Sequence, residues 1–120
     1  MQNNELRKES AQKTARYWQR VLGLTGFDIS VDFVDFDRKD FVQSGDIDVD
    51  LKKLQAKILI TNEKNSNDSY TILHELVHLM LWQYDDFCEK KISKKDKSGY
   101  FDLLEKTVAQ ITNAFYHQSK

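Results

Sequence analysis

The sequence predicts an α+β domain in which helices pack on a small sheet, and three observations carry that prediction. Segments with apolar residues at helical spacing lie towards both ends of the chain, whereas the short segments between them alternate or run apolar at strand length. Its 120 residues suffice for one domain with a genuine core and leave no room for a second. A composition of 40% apolar and 31% charged residues belongs to globular chains, not to disordered or fibrous ones.

Ala11, Ala15, Trp18 and Leu22 recur at helical spacing with Lys, Arg and Gln between them. A helix is therefore expected over residues 5–22, stopped by Gly23 and Gly26. Phe27, Ile29, Val31 and Phe33 alternate with Asp28, Ser30 and Asp32, the period of a half-buried strand. Ile47, Val49 and Leu51 alternate with Asp46, Asp48 and Asp50 in a second strand, and residues 56–61 read as a third. Residues 62–67 form a polar loop, and Asp68 or Ser69 is placed to cap a helix over residues 70–84. That helix is apolar on most sides, through Ile72, Leu73, Leu76, Val77, Leu79, Met80 and Leu81, and so belongs in the middle of the fold. After a charged connection over residues 90–97, Phe101, Leu104, Val108, Ile111 and Phe115 lay one stripe along a last helix, capped by Ser98.

Eighteen basic against nineteen acidic residues give a net charge of −1, which argues against a dedicated nucleic-acid binder. No apolar run approaches the ~18 residues of a membrane span, and the polar opening MQNNELRKES is unlike a secretory signal. The single cysteine, Cys88, excludes an internal disulfide and a thiol-rich zinc finger. A reduced, cytoplasmic setting and a monomeric chain away from membranes are expected. Asp46, Asp48 and Asp50 lack the glycine and terminal glutamate of a calcium loop and read as the solvated face of a strand. Lys90, Lys91, Lys94, Lys95 and Lys97 have no interleaved aromatics and read as a solvated loop.

The polar residues of the apolar helix call for a reason. His74-Glu75-Leu76-Val77-His78 is an H-E-x-x-H pattern. Residues four apart lie on one helical face, so both imidazoles can converge on one ion at Zn–N distances near ~2.0–2.1 Å. Glu75 is turned about 100° round the helix, placed to reach a water on the metal and not the metal itself. From there it can take the water's proton and pass it to a leaving amine. With 3 His and 6 Glu in the chain, chance produces the pattern in roughly 0.4% of such sequences. Burying three polar groups without a task is costly, which favours a site over two satisfied core histidines.

A catalytic zinc site takes three protein ligands and leaves one position open. Position 84, six residues past His78, is Tyr84 and not a third histidine. Asp85 and Asp86 stand a turn or more beyond the imidazoles if the helix continues. On the last helix Glu105 falls about 80° from the centre of the apolar stripe, at its border, while Asp102 points further out. Glu105 is the leading candidate for the third ligand, ahead of His117 near the C-terminus; the alternative for Glu105 is an exposed helix-surface residue paired with Lys106 or Lys97.

His74-Glu75-Leu76-Val77-His78-Leu79-Met80-Leu81-Trp82, followed by Glu105-Lys106-Thr107-Val108, resembles the small single-domain gluzincin-type metallopeptidases, in particular short H-E-L-x-H-L proteins encoded by phages and prophages. The resemblance covers about residues 58–81 and the surroundings of Glu105. It implies a zincin-like fold: an N-terminal helix, a small three-stranded twisted sheet, an active-site helix and a C-terminal glutamate helix. It also implies that His74, His78 and Glu105 bind Zn²⁺ and that Glu75 is the general base. The glutamate helix lacks the N-E-x-x-S-D signature of large gluzincins, and the second subdomain of their substrate cleft is missing. The resulting expectation is a zinc-dependent hydrolase acting on a peptide or protein substrate. Residues 58–60 are expected to offer a strand edge to an extended peptide, and Tyr84 and Tyr100 are candidate oxyanion donors. Two alternatives stand beside it: a zinc-stabilised phage structural or regulatory module without turnover, and a regulatory peptidase that cleaves one repressor-like partner. Two imidazoles and a carboxylate also suit other divalent ions.

Overall fold

Helical and strand periods separate along the chain as the apolar pattern dictates, giving four α-helices and a three-stranded mixed sheet among the described residues. The computed structural model describes residues 2–36 and 44–118. Helix α1 (Gln2–Val21) starts three residues ahead of its expected position and buries Ala11, Ala15 and Trp18. Its exit is a left-handed Gly23 (φ 73°), where Gly23 N–H donates to the Arg20 carbonyl and Leu24 N–H to that of Gln19. These paired bonds need a residue that tolerates positive φ, which is why glycine stops the helix here.

Strands β1 (Asp28–Val34), β2 (Gly45–Asp50) and β3 (Gln55–Thr61) lie in the order β1-β3-β2, with β3 parallel to β1 and antiparallel to β2. Register places Val31, Ile58 and Ile47 side by side on the buried face. Ser30, Lys57 and Asp48 fall together on the opposite, exposed face, so the three β2 aspartates do lie on a solvated strand face. The expectation that residues 58–60 offer a free edge is corrected: β3 is the central strand, hydrogen-bonded on both sides. Ile58 and Ile60 are fully buried while Lys57 faces solvent, so this central strand is covered on one face only. Leu51 also leaves the expected strand and enters the turn to β3, where the Asp50 carboxylate accepts from Lys52 and Lys53 N–H.

Helix α2 (Asp68–Met80) occupies the middle, against α1, β2, β3 and α4 (Lys97–Gln118). Ile72, Leu73, Leu76 and Val77 are fully buried, each worth roughly 1.5–3 kcal/mol of transfer free energy. The expected single helix to residue 84 is instead broken at Leu81 (φ −95°, ψ 4°), and α3 (Trp82–Lys91) starts afresh. Leu81 and Trp82 both pack on the core, so the chain turns there to keep them inside, with no glycine or proline marking the place. A 3-10 turn over Lys94–Asp96, held by Ser93 Oγ donating to Asp96, leads directly into α4, so Ser98 sits inside that helix and does not cap it. Along α4 the core contacts come from Leu104, Val108 and Ile111, with Thr112 fully buried beside them, whereas Phe101 at the start of the expected stripe is exposed. Among the described residues no helix is long and apolar enough to cross a membrane.

The entry to α2 is tied down by Arg7. Its guanidinium meets Asp68 through Nε to Oδ2 (2.6 Å) and Nη2 to Oδ1 (2.8 Å), and it also donates to the carbonyls of Thr61, Asn62 and Glu63 and to Ser66 Oγ. The same group lies 4.2 Å over the Phe33 ring. Asp68 is thereby occupied, and Asn67 caps the helix instead, accepting from Tyr70 N–H. Burial alone would raise the Asp68 carboxyl, but bonds from Arg7 and Ser66 together with the guanidinium charge outweigh it and hold the pKa below its ordinary value. Replacing Arg7 by Met should cost about 2 kcal/mol, or roughly 8 °C in Tm. Because the folded pKa of Asp68 is the lower one, its contribution is complete above the ordinary Asp pKa of about 3.9 and fades as pH falls through the folded value. Urea midpoints of the wild type and Asp68→Asn should therefore differ steadily from pH 5 to 7 and converge towards pH 3. An unchanged gap at pH 3 would show that the Asp68 charge plays no part.

Candidate metal centre

Seen down its axis, α2 leaves one strip that the core does not claim. Tyr70, His74 and His78, spaced four apart, share that strip and are half-buried, while Glu75 is turned about 100° from His74 and is buried at 6% exposure. The imidazole centroids are 5.1 Å apart. Across the strip runs α4, which delivers Glu105: one carboxylate oxygen lies 3.2 Å from His78 Nε2 and the other 3.9 Å from His74 Nε2. One donor atom from each of the three residues falls within 4.8 Å of the others, and they form the sole such group of three among the described residues.

These spacings fit a divalent cation. Tetrahedral bonds of ~2.1 Å set ligands about 3.4 Å apart, so small side-chain rotations bring all three atoms into place. Burial, with the neighbouring charge of His78 adding, lowers the His74 pKa against a partial offset from Glu105, which favours the neutral form of the ring. Burial also pushes the Glu75 carboxyl up to about 8, with the charges of Asp46 and Glu105 adding. A cation held by the three ligands acts in the opposite sense and favours ionised Glu75.

The start of β2 is pressed onto this helix. A Cβ on Gly45 would collide with Thr71 Cγ2 and lie 3.3 Å from Glu75 Oε2, so only glycine lets the strand pass this close to the buried carboxyl. From there β2 runs to Asp50, at a groove of about 770 Å³ whose walls include Asp48, Lys57 and Trp82 and none of the three ligand residues.

The remaining candidates are placed elsewhere. Tyr84 is 70% exposed on α3. The Tyr100 hydroxyl donates to Asp85 at 2.6 Å, an interaction that, after burial, helps raise its pKa. Asp85 is thus engaged by Tyr100, and Asp86 pairs with Lys90 at 2.9 Å. Asp102 is exposed, and His117 is exposed with its ring against Tyr116.

Sequence reasoning missed Gly45, because an approach between remote elements leaves no local mark. It also missed a second polar group beside the imidazoles. Tyr70 stacks at 29° on His74 and donates to Asn113 Oδ1 (2.9 Å), while Asn67 donates to the Tyr116 hydroxyl (3.0 Å). The four-residue spacing of Tyr70, His74 and His78 was the available signal for Tyr70.

No family model, curated protein or solved structure matches this chain.

Substituting Gly45 by Ala should cost about 1–3 kcal/mol through the clash with Thr71. Adding Thr71→Ser, which removes the offending methyl, should recover most of the loss in a thermal melt. A Gly45→Ala variant as stable as wild type would mean that β2 does not pack this tightly on α2.

Proposed function

We propose that the protein is a zinc-dependent hydrolase of minimal gluzincin type, most plainly a peptidase. The observation that carries this reading is the arrival of Glu105, from a helix 27 positions further along the chain than His78, at hydrogen-bond distance from that imidazole. A bound Zn²⁺ supplies Lewis acidity there, lowering the pKa of water and polarising a carbonyl. His74, His78 and Glu105 would hold the ion, and a set of three protein ligands among the described residues favours catalysis over a purely structural site. Glu75, buried beside them, accepts a proton from the attacking water and returns it to the leaving amine. At 6% exposure Glu75 is shielded from bulk solvent, and a cation held by the three ligands would favour its ionised form.

The α+β arrangement, with the motif helix between the sheet and a glutamate-bearing helix, supports a zincin-like fold. For an extended peptide the suitable docking strand is β2, an edge of the sheet among the described residues whose first residue lies against Glu75. A chain whose one cysteine is free suits the reduced cytoplasm.

Glu75→Gln should bind as much zinc as wild type, by elemental analysis, while cleavage of a mixed-sequence peptide library drops by about 10²–10⁴-fold. Undiminished cleavage by that variant would remove Glu75 from the role of base. His74→Ala should lose both metal and cleavage.

A further inference from the structure

Helices α2 and α4 meet along one antiparallel seam with a regular register. Asn67 faces Tyr116, Tyr70 faces Asn113 and His78 faces Glu105, so each step forward on α2 is matched by an equal step back on α4. The two amide–phenol rungs are linked, since Asn67 also accepts from Tyr70 N–H and the Tyr70 and Tyr116 rings pack edge to face at 5.3 Å. The third rung is the candidate metal centre. Eight residues, or about 12 Å of helix, separate the Tyr70–Asn113 rung from His78–Glu105 on both helices.

That geometry restricts Glu105 in a way its own surroundings do not. The Glu105 side chain is 61% exposed, and its polar contacts are the two imidazoles. What fixes its distance to them is therefore the axial position and rotation of α4. The apolar contacts of α4, through Leu104, Val108 and Ile111, seat the helix on the core, and the Tyr70–Asn113 bond adds a directional contact between specific atoms on the side where Glu105 projects. Tyr70 is the residue that touches both sides: its ring stacks on His74 while its hydroxyl is bonded to Asn113.

We propose that Tyr70 and Asn113 are positioning residues for the metal centre, a hydrogen-bonded rung that sets the register of α4 and so holds Glu105 opposite His74 and His78. This rests on the metal-centre reading above and adds to it the device that assembles the ligands. The two residues act through Glu105 and touch neither ion nor substrate.

Co²⁺ binding to the full chain tests it, followed by equilibrium dialysis and by the visible spectrum, for wild type, Tyr70→Phe, Glu105→Ala and the double variant. Tyr70→Phe keeps the ring and loses the hydroxyl. It should weaken Co²⁺ binding about fivefold, the equivalent of one ordinary hydrogen bond, and change the spectrum, while the melting temperature of the metal-free protein stays close to wild type. The loss caused by Glu105→Ala should be smaller, by about that same factor, in the Tyr70→Phe background than in wild type. Tyr70 and Glu105 both approach His74, but Phe keeps the ring that stacks there, so a coupling between the two substitutions reports the lost hydroxyl. Asn113→Ala should reproduce the Tyr70→Phe defect, and Asn113→Asp, which keeps an acceptor oxygen, should restore binding. If Glu105→Ala costs the same factor in both backgrounds, or Asn113→Ala binds Co²⁺ like wild type, the positioning role is overturned and the metal centre stands. If the wild type fails to bind Co²⁺ at all, the metal centre itself falls and the rung's role falls with it.

Discussion

Helix α2 can satisfy its apolar surface only from the middle of the fold, and that requirement sets the place of every other element. Sheet, α1 and α4 each cover part of its circumference, leaving Ile72, Leu73, Leu76 and Val77 without solvent contact. What remains is a narrow strip carrying Tyr70, His74 and His78. The polar groups of this half-buried strip find their partners on α4, in Asn113 and Glu105. The candidate centre is thus the polar remainder of a packing problem whose apolar part is already solved.

Polar satisfaction at the ends of α2 follows the same logic. Its first turn would present unpaired N–H groups beside a loop full of free carbonyls. Arg7 gathers three of those carbonyls and the Asp68 carboxylate in one planar fork, and Asn67 supplies the cap. The two fixtures hold the helix start, and with it Tyr70 and His74, against α1 on one side and α4 on the other. Glu75 differs from His74 and His78 in being buried, against the start of β2, so its chemistry is set by a low-dielectric environment and by whichever charges occupy the centre.

The kinds of element were readable because period is a local property. Ala11, Ala15 and Trp18 lie on one face of any helix, and Val31 alternates with Asp32 in any strand; both patterns persist in the folded chain. Their ends were less readable. The break at Leu81 follows from where Leu81 and Trp82 find core contacts, and it carries no glycine or proline. The choice of Asn67 over Asp68 as the cap was invisible because the competitor for Asp68 is Arg7, 61 residues away. The order of the strands was equally hidden: the run around Ile58 predicts burial, and only pairing on both sides makes it central.

For the candidate site, the four-residue spacing of His74 and His78 settles that both rings share a face, because helical geometry is the same wherever a helix lies. The border position of Glu105 likewise follows from angle alone. Whether that carboxylate comes within reach of the imidazoles depends on the antiparallel register of two helices far apart in the chain, which no local pattern encodes. The same holds for Gly45 against Glu75, a contact between a strand start and a helix that meet only when the sheet packs. Backbone geometry makes the first kind of fact independent of context, while the second kind exists only as the sum of distant contacts.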